Sequence, residues 1–220
     1  MDLYDVVIPA RDEARTIEGV VRPACAARGI GKVWVVDDDS SDGTAAAAQA
    51  AGAHVIRSFG RGDKALALAT GVAASRAAVL VFFDGDILNA SPTHFEALVE
   101  PVLTGCADLS CGLVDYGTPR NSIFLRLPPI TGLRALKRSV FEAIPREKLR
   151  GFQIEIMINE VIARGLEHAR MTLELLDCFR FVPLWTYGAY LRNLKVLPPS
   201  GRRPTDRFPP KNQSNLENVS

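Results

Sequence analysis

Apolar residues in the first half of the chain come in short runs separated by longer amphipathic stretches. The runs LYDVVIP (residues 3–9), VWVVD (33–37), AHVIRS (53–58), VLVFF (79–83) and ADLSCGLVD (107–115) have the length and β-branched content of strands. Runs such as VLVFF lack polar alternation, which implies burial on both faces, as in a parallel sheet covered by helices. Helical patterns fill the gaps. Residues 10–29 place Ile17, Val20 and Val21 on one side, with Gly29 as a stop. Ser40, Ser41 or Asp42 can cap an Ala-rich helix over 44–51. A Gly-containing loop and a helix occupy 60–75, and Ser91-Pro92 supplies the cap and first turn of a helix over 92–103. Strands alternating with helices predict βαβ units with right-handed crossovers, hence an α/β fold with a mainly parallel central sheet.

The alternation weakens near residue 115. Residues 116–129 read as an irregular loop, ITGLRALKR (130–138) as a strand, and SVFEAI as a helix capped by Ser139 and stopped before Pro145. Residues 151–165 are apolar nearly all round, which predicts a buried helix. ARMTLELLD (169–177) is a strand of mixed pattern. Phe181, Trp185, Tyr187 and Tyr190 lie in a stretch with Arg192 and Lys195, which suits either a helix lying on lipid or closure of the core. Residues 198–220 are rich in Pro, Arg and Asn and read as a disordered tail. The expected organisation is one domain over 1–197, with halves 1–115 and 116–197, followed by that tail.

Composition adds limits. At 220 residues, 47% hydrophobic and 23% charged, the chain suits one globular domain with a substantial core. No apolar run approaches the roughly 18 residues of a membrane span. The opening MDLYDVVIPA carries acids and enters a strand at once, unlike a signal peptide. Four cysteines without C-x-x-C spacing are expected to be reduced and mostly buried, and the expected location is cytoplasmic, with peripheral contact to a membrane's inner face left open. Charge is uneven: residues 1–115 hold 9 Lys and Arg against 16 Asp and Glu, and the remainder hold 17 against 9. The acidic half suits a metal; the basic half suits an anionic acceptor, an anionic membrane surface or, at lower weight, nucleic acid.

The candidate chemistry sits at strand ends. VLVFF runs into Asp84, Gly85 and Asp86. Ligands of open α/β sheets bind beyond the carboxyl ends of the strands, so residues 9–13, 37–39 and 84–86 should line one crevice. Acids from three loops repel unless a cation or hydrogen-bonding ligand joins them, and a hard cation such as Mn2+ or Mg2+ takes oxygen ligands shared with phosphates. IPARDEA after the first strand is not G-x-G-x-x-G, which excludes the dinucleotide fingerprint, and GRGDKA lacks the end of a P-loop. The two aspartates are too close in sequence to suggest the opposed carboxylates of a glycosidase.

VVIPARDEARTI, VWVVDDDSSDGT, DKALALATG and VLVFFDGD, in this order over roughly residues 3–115, resemble family 2 glycosyltransferases of the GT-A fold, the group that includes polyprenyl-phosphate sugar transferases. The resemblance implies a Rossmann-like three-layer α/β/α sandwich and a metal-dependent transfer of sugar from a UDP- or GDP-linked donor. It implies that Pro9, Ala10, Arg11 and Glu13 contact the nucleotide, that Asp38 accepts a hydrogen bond from the base, and that Lys64 lies near the diphosphate. Asp84 then faces ribose or metal, Gly85 lines the donor site, and Asp86 binds Mn2+ or Mg2+ and acts catalytically. Two departures stand out: Asp39 replaces the glycine of the family's D-D-G-S, and Asp63 and Ala65 replace glycines flanking the lysine.

On the acceptor side, Glu155 falls where this fold often places an acid that could serve as general base; its alternative is an ion pair or packing role. Asn159 and Glu160 are weaker candidates. Arg120, Arg126, Arg134, Lys137 and Arg138 could meet an anionic acceptor or form a solvated face. His168 could complete a metal shell. A polyprenyl phosphate or other anionic lipid-linked acceptor is the first expectation. Transfer to a small phosphorylated acid, a glycan or modified nucleic-acid bases, nucleotidyl transfer, and sugar-nucleotide binding without catalysis are the alternatives.

Overall fold

The computed structural model describes residues 3–59, 62–114, 131–149, 154–165, 171–176 and 179–180. Nine strands and six α-helices lie among them. The strands are β1 (Tyr4–Ala10), β2 (Ile30–Asp38), β3 (His54–Ser58), β4 (Val79–Phe82), β5 (Ile87–Leu88), β6 (Leu109–Val114), β7 (Arg134–Lys137), β8 (Met171–Leu176) and β9 (Phe179–Arg180). The helices are α1 (Ile17–Ala26), α2 (Thr44–Ala50), α3 (Lys64–Ala74), α4 (Pro92–Leu103), α5 (Arg138–Glu142) and α6 (Ile154–Gly165).

Seven strands form one sheet in the order β3-β2-β1-β4-β7-β6-β8. β7 alone runs against its neighbours β4 and β6; the other pairings are parallel. Alternate residues of β1 feed opposite faces. Val6 and Ile8 join a core with Val20, Val21, Phe95 and Leu98 from α1 and α4. Val7 joins a second core with Leu68 and Val72 of α3 and Ile154 and Ile158 of α6. Two cores on either side of one sheet make the three-layer α/β/α sandwich expected from the sequence. β5 and β9 form a separate two-stranded antiparallel sheet that the sequence pattern does not reveal, because two-residue strands carry no period.

Several boundaries differ from those expected, for identifiable reasons. The helix expected from residue 10 begins at Ile17, because the backbone N–H groups of Asp12, Glu13 and Ala14 bond to Ser40 Oγ, Thr44 Oγ1 and Asp42 Oδ2 instead of entering a helical ladder. Gly43, not a serine or aspartate, is the N-cap of α2. Ser139 lies inside α5, whose N-cap is Lys137. At α4, Ser91 and His94 form the reciprocal capping box that makes the Ser-Pro start effective. Among the described cysteines, Cys25 and Cys106 are exposed and Cys111 is buried, so the expectation of mostly buried thiols fails for two of the three. Residues 116–129, His168, Phe181 to Lys195 and the tail 198–220 lie outside the described residues.

The reversal at β7 brings a distant turn to the functional edge of the sheet. Arg134 at the start of this strand pairs with Phe82 at the end of β4, so the turn entering β7 sits beside the carboxyl ends of the parallel strands.

Candidate active site

The carboxyl ends of β1, β2 and β4 open on one cavity of about 180 Å3. Its walls carry Pro9, Ala10, Arg11, Glu13, Asp38, Gly62, Lys64, Ala67, Asp84, Gly85 and Asp86. Every donor-side residue named from the sequence is therefore brought together. Strand register explains it: Pro9 pairs with Val36 and Ala10 with Asp37, while Val7 pairs with Phe82, which sets Asp38 and the Asp84–Asp86 turn on either side of the β1 loop.

The β1–α1 and β2–α2 loops are stitched to each other. Asp12 adopts φ 55° and accepts hydrogen bonds from the N–H and Oγ of Ser41 at 2.7 and 3.0 Å. Glu13 N–H donates to buried Thr44 Oγ1 at 2.8 Å, and Ala14 N–H donates to Asp42 Oδ2 at 3.1 Å. Asp42 also accepts from the Thr44 N–H and hydroxyl, and the hydroxyl holds its carboxyl below the ordinary carboxylate range. The SSDGT segment is thus a clamp that orders the β1 loop, a role that its helix-cap pattern does not disclose. Asp39 sits at φ 60°, in the left-handed region where glycine is favoured and aspartate tolerated. That geometry accounts for a glycine in the motif this position resembles.

Asp38 is buried at the cavity wall. Its Oδ2 accepts from the Gly62 N–H, and its Oδ1 has no hydrogen-bond partner among the described residues. A buried carboxylate oxygen without a partner, on a residue that lines a cavity, calls for a donor from a ligand.

Lys64 links the two sides of the site. Its Nζ donates to Asp84 Oδ1 at 2.7 Å and to Glu155 Oε1 at 2.9 Å, with all three side chains largely buried. The sequence suggests Lys64 near a diphosphate and Glu155 near an acceptor; the structure joins them through one ammonium group. Two glycines permit this packing. A Cβ at Gly132, in the turn entering β7, would collide with the Asp84 carboxylate, and a Cβ at Gly85 would collide with Glu13 Oε2. Neither contact is readable from sequence, because each joins loops far apart in the chain.

Three basic residues of the second half, Arg134, Lys137 and Arg138, are engaged within the fold. Arg134 is fully buried, donating to Thr131 O and to Asn159 Oδ1, so Asn159 serves this contact. Arg138 donates to the carbonyls of Ala77 and Val72, and Lys137 pairs with Asp108 at 2.6 Å. Arg134 and Arg138 support structure instead of offering a solvated basic face, while Lys137, though paired, keeps its side chain partly exposed. Glu160 lies on a separate groove with Ile144 and Lys148. Arg120 and Arg126 lie outside the described residues.

Among the described residues, no three Asp, Glu, His or Cys side chains converge as a self-sufficient cation site. Asp84 and Asp86 both line the cavity, but Asp84 Oδ1 already accepts from Lys64, whereas Asp86 is partly exposed. A divalent cation on Asp86 would therefore complete its shell from phosphate oxygens and water, which suits a hard ion that keeps several non-protein ligands. Among the described residues no helix is long and apolar enough to cross a membrane.

The family model described as Glycosyl transferase family 2 matches residues 5–158. Glucosyl-3-phosphoglycerate synthase of Mycobacterium tuberculosis is 26% identical over 227 residues, covering 86% of this chain and 70% of that protein. The protein of the same name from Mycolicibacterium paratuberculosis is 37% identical over 109 residues, covering 46% of this chain and 33% of its own. A crystal structure of the Mycobacterium tuberculosis synthase with Mn2+, UDP and phosphoglyceric acid has a TM-score of 0.72 at 26% identity, covering 86% of this chain and 74% of that one. Another, with Mg2+ and UDP, has a TM-score of 0.70 at 26% identity, covering 86% and 75%.

Proposed function

This chain belongs to glycosyl transferase family 2 and is a nucleotide-sugar-dependent glycosyltransferase, and we propose that it moves glucose from UDP-glucose to a small phosphorylated carboxylic acid of the phosphoglycerate type, with Mn2+ or Mg2+. The observation that carries this reading is the single cavity in which Asp38, Asp86 and Lys64 stand at the ends of separate elements. Its support for the sugar, base and acceptor is the set of mycobacterial relatives, whose structures hold UDP-glucose, Mn2+ and phosphoglyceric acid. A polyprenyl-phosphate acceptor, the first sequence expectation, gives way to the small acid: both are anionic, but the relatives' acceptor is the smaller one, and Arg134, Lys137 and Arg138 are used within the fold.

On this reading the residues divide the work. Asp38 accepts the imide N–H of the base. Pro9, Ala10, Arg11, Glu13 and Gly85 shape the wall against the nucleoside. Asp86 would hold the cation together with diphosphate oxygens. When bound, the cation supplies Lewis-acid stabilisation of the negative charge that develops on the departing diphosphate. Lys64 adds a positive charge on the same side, and Asp84 holds that ammonium in place. Glu155, which accepts from the same Lys64 ammonium, is the candidate for receiving the acceptor's hydroxyl proton. Residues 1–115 form the donor half and residues 116–197 the acceptor half of one domain.

The test is UDP release from purified protein with UDP-glucose, Mn2+ and 3-phosphoglycerate, run beside GDP-sugars and a short polyprenyl phosphate. Turnover that needs both UDP-glucose and phosphoglycerate is the expected result. Turnover with polyprenyl phosphate alone overturns the acceptor assignment, and pyrophosphate release overturns sugar transfer.

A further inference from the structure

We propose that Phe59 is the stacking platform for the donor's nucleobase and sets the affinity for the nucleoside part of the donor. The inference rests on the UDP-sugar reading of this site and adds a residue to it. Phe59 follows Ser58, and Ser58 pairs directly with Asp38 in the sheet. It therefore lies one residue beyond the position level with Asp38, at the same end of the sheet; Asp38 lines the cavity, and its buried Oδ1 has no partner among the described residues. Its side chain is 76% exposed, whereas Phe82, Phe83, Phe95 and Phe141 are all buried.

The chain leaving Phe59 returns to the same place. Gly62 lines the cavity at φ 98°, donates its N–H to Asp38 Oδ2, and leaves so little room that a Cβ there would lie 2.9 Å from Arg11 Nη1. The segment that carries the exposed ring is thus anchored to the carboxylate expected to read the base edge. A base has two needs: a polar partner for its edge and an apolar or aromatic surface for its face. Asp38 meets the first. Among the described residues none that lines the cavity is aromatic, so Phe59 is the neighbouring group able to meet the second. Base–aromatic stacking tolerates any base, because every base has a π face. Phe59 therefore contributes affinity, and Asp38 the choice among bases.

Calorimetric titration of the full chain with Mn2+ and, separately, UDP, UMP and inorganic pyrophosphate tests the assignment, using wild type, Phe59→Ala and Phe59→Tyr. The expected result is about a tenfold loss of UDP and UMP affinity in Phe59→Ala, the low end of what base–aromatic stacking contributes. Pyrophosphate affinity and the melting temperature should be unchanged, and Phe59→Tyr should restore UDP binding. UDP binding by Phe59→Ala within twofold of wild type overturns the inference, as does an equal loss for pyrophosphate. A wild-type chain that binds pyrophosphate but neither UDP nor UMP overturns the donor reading itself, and the stacking role with it.

Discussion

Lys64 and Glu155, 91 residues apart in the chain, meet at 2.9 Å, and the same ammonium group holds Asp84 at 2.7 Å. The first turn of α3 is thereby bound to the first turn of α6 and to the end of β4. Lys64 and Asp84, which line the cavity, are thereby tied to Glu155, which lies behind that wall.

Removing that charge should be costly. Lys64→Met leaves two buried carboxylates facing each other, and breaking a buried ion pair from one side costs about 3–5 kcal/mol. Urea denaturation should show a loss of that order. The triple variant that also carries Asp84→Asn and Glu155→Gln should recover most of it, because no charge is then stranded.

Glu155→Gln should separate binding from chemistry. Lys64 keeps its bond to Asp84, so UDP affinity should stay within about threefold of wild type, whereas kcat should fall by the roughly 10²–10⁴-fold typical of a lost general base. Equal losses in kcat and UDP affinity would instead make Glu155 a positioning group.

Gly85→Ala and Gly132→Ala should each reduce activity by about a hundredfold, since a misplacement on the order of 1 Å at reacting groups costs that much. The added methyl pushes on the Glu13 carboxylate in the first case and on the Asp84 carboxylate in the second. Gly19→Ala, where a Cβ meets nothing within 4 Å, is the control and should be fully active.

Asp39→Gly should be neutral or stabilising by up to about 1 kcal/mol, because it removes a left-handed side chain. Asp39 is exposed, so no packing is lost. Asp39→Val should destabilise, and thermal melts should place it below both wild type and Asp39→Gly.

The loop clamp should loosen in acid. Hydrogen bonding from Thr44 holds the Asp42 carboxyl below its ordinary value of 3.8. A carboxyl lowered on folding stabilises the native state above that ordinary value and loses this contribution as pH falls through its folded value. UDP affinity should therefore decline below about pH 4. Asp42→Asn should bind UDP weakly at neutral pH and show a smaller further decline, measured by titration across the range.

Much of the site is legible in the chain's local pattern. Acids placed just past apolar runs must share an edge once those runs become parallel strands, because every such strand presents its carboxyl end on the same side. Pro9, Asp38, Asp84 and Asp86 can be grouped for that reason. The role of SSDGT is less legible, since the same side chains that cap helices can bind the N–H groups of a neighbouring loop. Arg134, Lys137 and Arg138 resemble an anion site because sequence shows charge without showing which groups already accept its hydrogen bonds.

By itself the sequence determined the alternation of strands and helices, the parallel first half and the acids at its edge, all of which follow from local period and spacing. Only the tertiary structure decided that β7 runs backwards beside β4, that Gly132 leaves room for Asp84, and that Lys64 is shared by Asp84 and Glu155. Those relations depend on which distant segments pack together, and packing is a property of volume and charge in three dimensions that no local pattern records.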